Sequence, residues 1–527
     1  MRTYQTFSTR VTKQGEAIPG EAQVVNNADG FVYEVDKWKQ FERFLILGTE
    51  GGTYYVGEQK LTRENALAVM ACVNEDGVRA VMGIVDVSER GRAPKNDPAI
   101  FALALAAAAK DARTRRTALD ALPRVCRIPT HLFHFVTYVK QFRGMGRGLR
   151  HALGHWYNDM PVEKLAYEVV KYQSRDGWSN RDVLRQAHPK TADPVRNAVY
   201  RWIVGGVDDG KLEKAHLPQI VAAFENAKTV HGVGLVRLIK ECGLTREMIP
   251  TEALTRADVW EALLPTMPLT AMVRNLGNMS KVGLLAPMSD AARLVAKRLR
   301  DREVIKKARA HPISLLVALK TYAGGRGVKG SGQWTPVPSV IDALDDAFYL
   351  AFEALEPTGK RLLFGVDVSA SMEAPITGLP ISSAEAAAAM ALACAKTERE
   401  FYIMGFSSTF KNLGITPNMR LDDVMAYARG VNFGRTDCAI PMVWALAHKV
   451  KVDGFVVITD NETWAGTIHP SQALRRYREA TGIAAKQVVM ATTSTKFSIA
   501  NPKDGGALDV VGFDTTTPQV VADFLRG

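Results

Sequence analysis

Residues 356–372 read EPTGKRLLFGVDVSASM, and the chain changes character there. The run Leu362–Val366 is short, apolar and rich in strand formers, and it ends on Asp367-Val368-Ser369-Ala370-Ser371. Similar runs follow in REFYIMGF, VDGFVVIT, KQVVMATT and ALDVVGF. Between them lie the helical stretches SSAEAAAAMALACAK, LDDVMAYARG, DCAIPMVWALAHKV, HPSQALRRYREA and PQVVADFLRG. Parallel strands need long crossovers, and crossover helices cover both faces of the sheet they join. Alternation of this kind therefore predicts an α/β, doubly wound parallel sheet over residues 361–527. Such sheets bind ligands at the carboxyl ends of their strands, where the D-x-S-x-S segment falls.

Upstream the pattern is helical. Asp97 and Pro98 precede IFALALAAAAK, a capping residue and a first-turn proline before strong helix formers. ENALAVMACV, VEKLAYEVVKY, LPQIVAAFENAK, AARLVAKRLRDREVIKKA and SVIDALDDAFYLAFEAL place apolar residues at three- and four-residue steps. Short breaks separate them and no strand alternation is evident. Residues 21–360 thus predict an irregular array of helical repeats, preceded by a polar tail over 1–20.

The length of 527 residues suits about three domain-equivalents of chain. Residues 361–527 carry 16 Lys+Arg and 16 Asp+Glu, so the first 360 hold 51 basic and 39 acidic residues and the whole +12. Polyanion contact is expected on the first module. Five scattered cysteines lack metal-ligand spacing, and the N-terminus lacks a signal peptide's apolar core. The longest apolar run, Ala99 to Ala109, is 11 residues, too short to span a bilayer. A soluble, cytoplasmic protein without membrane partners is expected.

Five oxygen-bearing residues suggest a metal site. Asp367, Ser369 and Ser371 occupy one strand end, Thr436 precedes the next helix, and Asp460 ends GFVVITD. Two carboxylates and three hydroxyls, completed by water, suit a hard divalent cation such as Mg²⁺. The absence of sulfur and imidazole disfavours zinc and copper. The set resembles the metal-ion-dependent adhesion site of von Willebrand factor type A domains, in which the corresponding serines, threonine and first aspartate coordinate metal and the last aspartate acts through water. Arg435 stands where that family tends to have glycine.

The first module carries several basic clusters. In KYQSRDGWSNRDVLRQAHPK (171–190), Lys171 and Arg175 read as one helical turn apart. Ser179 and Asp182 form a capping-box pattern, and Arg181, Arg185 and His188 share a helix face. Arg143, Arg147 and Arg150 repeat the spacing upstream. Arg293, Lys297, Arg298, Arg300, Lys306, Lys307 and Arg309 crowd a later segment, and Arg326 and Lys329 lie near Trp334. Any one cluster is an ordinary solvated face, but several within the module holding all the net charge point to phosphate oxygens of a nucleic acid.

DGFVYEVDKWKQFERFLILGTEGGTYYVGEQKLT, VCRIPTHLFHFV, GRGLRHALGHWYN, DGWSNRDVLRQAHPK, RNLGNMSK, HPISLLVALKTY, EPTGKRLLFGVDVSASM, TDCAIPMVWA and VVITDNETWAGTIHP together resemble the Ro autoantigen family, in its bacterial form. The resemblance runs from about residue 25 to the C-terminus. It implies a ring of antiparallel, HEAT-like helical repeats (the TROVE module) closed by a von Willebrand A module. It also implies a non-enzymatic protein that binds small non-coding Y RNA on its outer surface and takes single-stranded RNA 3′ ends into a central hole. Bacterial members are linked by RNA to the exoribonuclease polynucleotide phosphorylase, in RNA quality control. The family's Y RNA contacts fall on Lys171, Arg175 and His188. Two other classes compete: a Mg²⁺-dependent nuclease and a protein–protein adhesion scaffold.

Overall fold

A computed structural model describes residues 11–47, 66–93, 95–208, 210–308, 310–327, 332–351, 357–373, 380–416, 418–429, 434–493, 495–511 and 517–526. Arg309 and Lys329 of the basic clusters, and residues 1–10 of the expected tail, lie outside them.

The first module is a succession of helices from Lys37–Leu47 to Pro338–Leu350. Most bury one stripe: Val162–Lys171 hides Leu165, Ala166, Val169 and Val170 at helical spacing. Asp97–Ala107 is the exception, with every residue from Pro98 to Ala107 buried. The 11-residue apolar run is therefore a core helix. Phe101 packs its ring 5.2 Å from Tyr138 and 5.5 Å from Phe142 on the helix Pro129–Phe142. The array closes on itself where the His311 ring nitrogen Nε2 meets the Arg92 carbonyl at 3.3 Å. Among the described residues, no helix is long and apolar enough to cross a membrane.

Short strands interrupt the helices, against the expectation of none. β1 (Val24–Val25) and β2 (Phe31–Glu34) pair antiparallel, as do β3 (Ser174–Arg175) and β4 (Trp178–Ser179).

The second module holds β5 (Arg361–Asp367), β6 (Glu400–Phe406), β7 (Phe410–Asn412), β8 (Gly454–Thr459), β9 (Lys486–Ala491) and β11 (Ala507–Val511). Their order is β11-β9-β8-β5-β6-β7. All neighbours are parallel except β7, which turns back on β6 as an antiparallel edge that its three residues did not reveal. All six residues of β8 are buried, as a sheet covered on both faces requires. The helix Ser383–Ala395, rich in alanine and buried throughout, lies on one face of the sheet. On the other face, Pro441 comes so near Gly365 that any Cβ there would lie 2.9 Å from it.

Residues 11–20 are not a free tail. Gln14 is fully buried, and its side-chain amide donates to Asp437 at 2.7 Å and to the Ile468 carbonyl at 2.9 Å. β10 (Phe497–Ser498) of the second module pairs with β2 of the first, and Arg43 reaches both oxygens of Asp509 at 2.8 Å. The expected polar segment is thus part of the junction between modules.

Candidate nucleic-acid surface and metal centre

The carboxyl edge of the sheet gathers three loops. β5 lies between β8 and β6, so the loop it feeds sits where successive crossovers part to opposite sides, the switch point of such a sheet. Asp367 ends β5, Asp460 follows β8, and the loop carrying Thr436 reaches across the end of β6. That loop is fixed by the Asp437 N–H on the Ser407 carbonyl at 3.1 Å and by the Trp464 N–H on the Thr436 carbonyl at 3.1 Å.

All five expected ligands are buried to 3% exposure or less. Ser369 Oγ donates to Asp367 Oδ1 at 2.6 Å, and the Ser369 and Ser371 hydroxyls stand 3.0 Å apart. Thr459, which the sequence reading passed over, donates to Asp367 Oδ2 at 2.6 Å. Asp460 Oδ2 is buried with no hydrogen-bond partner among the described residues. Burial, together with the neighbouring charge of Asp460, pushes the Asp367 carboxyl up to about 7, and burial raises Asp460 as well. Two buried carboxylates, one with an orphaned oxygen, form a donor set that a hard cation would satisfy. Among the described residues no cluster of three or more His, Cys, Asp or Glu forms, so a cation here would rely on hydroxyls. Arg435 is exposed, and its guanidinium lies over the Trp464 ring, 5.2 Å from the centroid.

The structure draws most of the first basic clusters together, though not as the spacing implied. Lys171 ends the helix Val162–Lys171, but Arg175 sits on β3, so the two do not share a helix. Lys171 Nζ lies 5.3 Å from the Tyr167 ring centroid and 5.2 Å from that of Tyr172. Burial alone would lower its pKa, but Tyr172, Tyr167 and Glu247 outweigh that, and the net shift is upward. Arg175 is 62% exposed in its side chain. The capping box forms as expected: ahead of the helix Asn180–Ala187 the Asp182 N–H donates to Ser179 Oγ at 3.2 Å, and the Ser179 N–H donates to the Asp182 carboxylate at 3.0 Å. Arg181 and Arg185 are exposed on that helix. His188 is not on its face but caps its end in a left-handed conformation, φ 47°. Asn180 joins the pieces: its amide donates to the Tyr172 carbonyl at 2.8 Å and its Oδ1 accepts from the Tyr157 hydroxyl at 2.9 Å.

Tyr157 belongs to the helix Arg147–Asp159, on which Arg147 and Arg150 are exposed. Its Gly154 packs beside Ala187 and Pro189, so the two cationic helices share an interface. Arg143 does not join this surface. Its guanidinium donates to the Ala107 carbonyl at 2.7 Å, stitching a helix end. The later cluster is likewise split between two helices, Asp290–Leu299 and Arg302–Ala308, and partly occupied. Arg298 donates to the Leu264 and Met267 carbonyls at 2.9 and 2.5 Å, Arg293 pairs with Asp290, and Arg300 with Asp346. Lys297, Lys306 and Lys307 remain exposed.

A cavity of about 790 Å³ opens at the seam where the helical array closes. Lys95, Arg127, Arg274, Asn278, His311 and Trp334 line it, and the Trp334 ring stacks on Tyr322 with centroids 6.2 Å apart. The sequence reading singled out only Trp334 among these. The rest, three cations with Asn278 and His311, are isolated in the sequence, and their approach depends on ring closure.

Residues 24–216 and 237–321 match the TROVE domain, and residues 361–525 match the Ro60 vWA domain. The chain belongs to the Ro60 family. Within that family it is 43% identical over 511 residues to the RNA-binding protein RO60 of Deinococcus radiodurans, covering 96% of each chain. It is 37% identical to the RNA-binding protein RO60 of Caenorhabditis elegans, over 98% of this chain and 92% of that one. The crystal structure of the Deinococcus radiodurans Ro (RSR) protein superimposes with a TM-score of 0.72, covering 93% of this chain and all of that one. Ro60 membership accounts for a helical region followed by a mixed, mainly parallel sheet, and it supports RNA as a partner.

Proposed function

We propose that the protein is a non-enzymatic RNA-binding protein whose outer surface, formed by Lys171, Arg175, Arg181, Arg185, His188, Arg147 and Arg150, takes small structured non-coding RNA of the Y RNA class. The observation that carries this reading is the shared framework under those cations: three helices and a hairpin, tied through Asn180. Cations held on a rigid scaffold meet phosphates without first losing side-chain and loop freedom. The relatives' names, RNA-binding protein RO60, support the same partner.

The seam cavity extends the proposal to single-stranded RNA 3′ ends. Its lining supplies cations for phosphate and a stacked indole for bases, the combination that sequence-tolerant single-strand binding uses. An RNA held on the outside with its end inside would suit delivery to an exoribonuclease such as polynucleotide phosphorylase, in cytoplasmic RNA quality control.

Asp367, Ser369, Ser371, Thr436 and Asp460 would hold Mg²⁺. The ion would supply an open coordination position able to take an acidic side chain from a partner. Buried Asp367 and Asp460 would provide its charge balance.

The test is binding of a synthetic stem-loop RNA across a salt series. Arg175→Glu is expected to lower affinity at least tenfold and flatten the salt slope; an unchanged isotherm would discard the surface. Incubating the labelled RNA with protein and Mg²⁺ should leave it intact, and cleavage would return the nuclease reading. Calorimetric titration should show Mg²⁺ binding in the wild type and none in Asp367→Ala.

A further inference from the structure

The hairpin that carries Arg175 is too small to hold itself. β3 and β4 contribute two residues each, joined by Asp176 and Gly177 at φ 53° and 76°. An isolated two-stranded hairpin is marginal in water even when longer, and Asp176 adds a left-handed conformation that favours glycine. Its root is fixed by Asn180, but that leaves the tip unexplained.

The tip rests on the neighbouring helix Pro129–Phe142. His134, 13% exposed in its side chain, meets Asp176 Oδ2 through Nδ1. The other ring nitrogen lies 3.9 Å from Asp97, at the start of the helix Asp97–Ala107, and the ring stacks on Tyr138 with centroids 6.4 Å apart. Six residues beyond His134 on the same helix, Lys140 Nζ lies 4.8 Å from the Trp178 ring centroid, and Trp178 is the cross-strand partner of Arg175. The Asp176 carboxylate is thereby shared. His134 holds Oδ2, while Arg175 Nε stands 3.7 Å from Oδ1, a loose contact that leaves the guanidinium directed to solvent.

We infer that His134 is a positioning residue for Arg175: by holding Asp176 it fixes the hairpin tip and keeps that carboxylate from closing on the arginine that faces RNA. This rests on the RNA-surface reading, and it adds a residue that contacts no RNA itself. Without His134, the carboxylate is released to neutralise Arg175 and the tip loses its anchor.

The test compares Arg175→Ala, His134→Phe, His134→Gln and the Arg175→Ala/His134→Phe pair, using the full chain and a synthetic stem-loop RNA. Arg175→Ala is expected to cost about tenfold in affinity and to reduce the salt slope by about one. His134→Phe should do nearly the same, and the pair should be no worse than either single variant. His134→Gln keeps a donor for Asp176 and should restore most of the affinity. Backbone hydrogen exchange at residues 175–178 should quicken in His134→Phe and stay slow in Arg175→Ala. Additive losses, or unchanged exchange in His134→Phe, would overturn the inference. If Arg175→Ala binds normally, the RNA surface fails, and exchange alone then judges whether His134 positions the tip.

Discussion

His131 and His134 lie one turn apart on the same helix and meet opposite surroundings. His134 faces two carboxylates, whereas His131 has a buried Nδ1 without a hydrogen-bond partner among the described residues. Burial first, then the charge of Arg127 and the proximity of the His134 ring, pull the His131 pKa down to about 4. An unfolded histidine titrates near ~6.5. Because the folded value is the lower one, neutral His131 contributes stability above pH ~6.5, and that contribution is lost as pH falls towards 4. One proton taken up on unfolding corresponds to a slope of up to about 1.4 kcal/mol per pH unit in that window. His131→Gln should flatten the slope, read from urea midpoints at several pH values between those limits. Parallel acid sensitivity in wild type and variant would remove His131 from the account. A second prediction at this scale concerns the buried acid pair. Without metal, Asp367→Asn should raise the thermal midpoint because it removes a carboxylate disfavoured by burial and by Asp460. The same substitution should abolish any further rise on adding Mg²⁺. A midpoint that falls without metal would mean that the Thr459 and Ser369 hydrogen bonds to Asp367 outweigh the repulsion.

The helix Asn180–Ala187 shows how much of the candidate surface depends on one element's ends. It has eight residues, short enough that its first turn matters, and Ser179 and Asp182 satisfy that turn reciprocally. Ser179→Ala should cost about 1 kcal/mol. It should also weaken RNA binding, since Arg181 lies within the loosened turn; thermal melts and the same RNA titration check both, and unaltered binding would show that the arginine needs no fixed helix start. This capping box was legible in the sequence because its residues lie three apart. The parallel strands of the sheet were legible for a similar reason, each being a short run dominated by apolar residues, whereas β7, with the sequence Phe410-Lys411-Asn412, was not. The hairpin beside the helix was not read, although Asp176-Gly177 is a strong turn signal. Its two-residue strands have no alternation to display, and the dipeptide passed as a break between helices. Formal charge misled in the same way. Arg143 and Arg298 count as cations in the sequence, but each spends its guanidinium on the carbonyls of a neighbouring helix end, a use that depends on packing alone.

On the scale of the molecule, the net charge and the mechanical junction belong to different parts. All of the +12 lies before residue 361, so the proposed RNA surface predicts that the salt dependence of binding comes from the helical module. What joins that module to the neutral one is largely buried and polar. Gln14 and Asn26 bond to the segment following β8, Lys320 pairs with Glu385 at 2.9 Å, and Arg43 pairs with Asp509 while also donating to the Phe497 carbonyl at 3.0 Å. Residues 11–20 read as a polar tail because Gln14's partners lie more than 400 positions away. Of these contacts Arg43 is the most consequential. Its side chain is fully buried, and removing it strands Asp509, 15% exposed, with the Ser498 hydroxyl as its remaining hydrogen-bond partner among the described residues. Breaking a buried ion pair from one side costs about 3–5 kcal/mol because the surviving charge stays desolvated. The loss falls on the junction and not on either core. Calorimetry should therefore show one cooperative transition for the wild type and two for Arg43→Met, the earlier one at the lower midpoint. A single transition at the wild-type midpoint would show that the modules are coupled without this pair, through the Gln14 and Lys320 contacts.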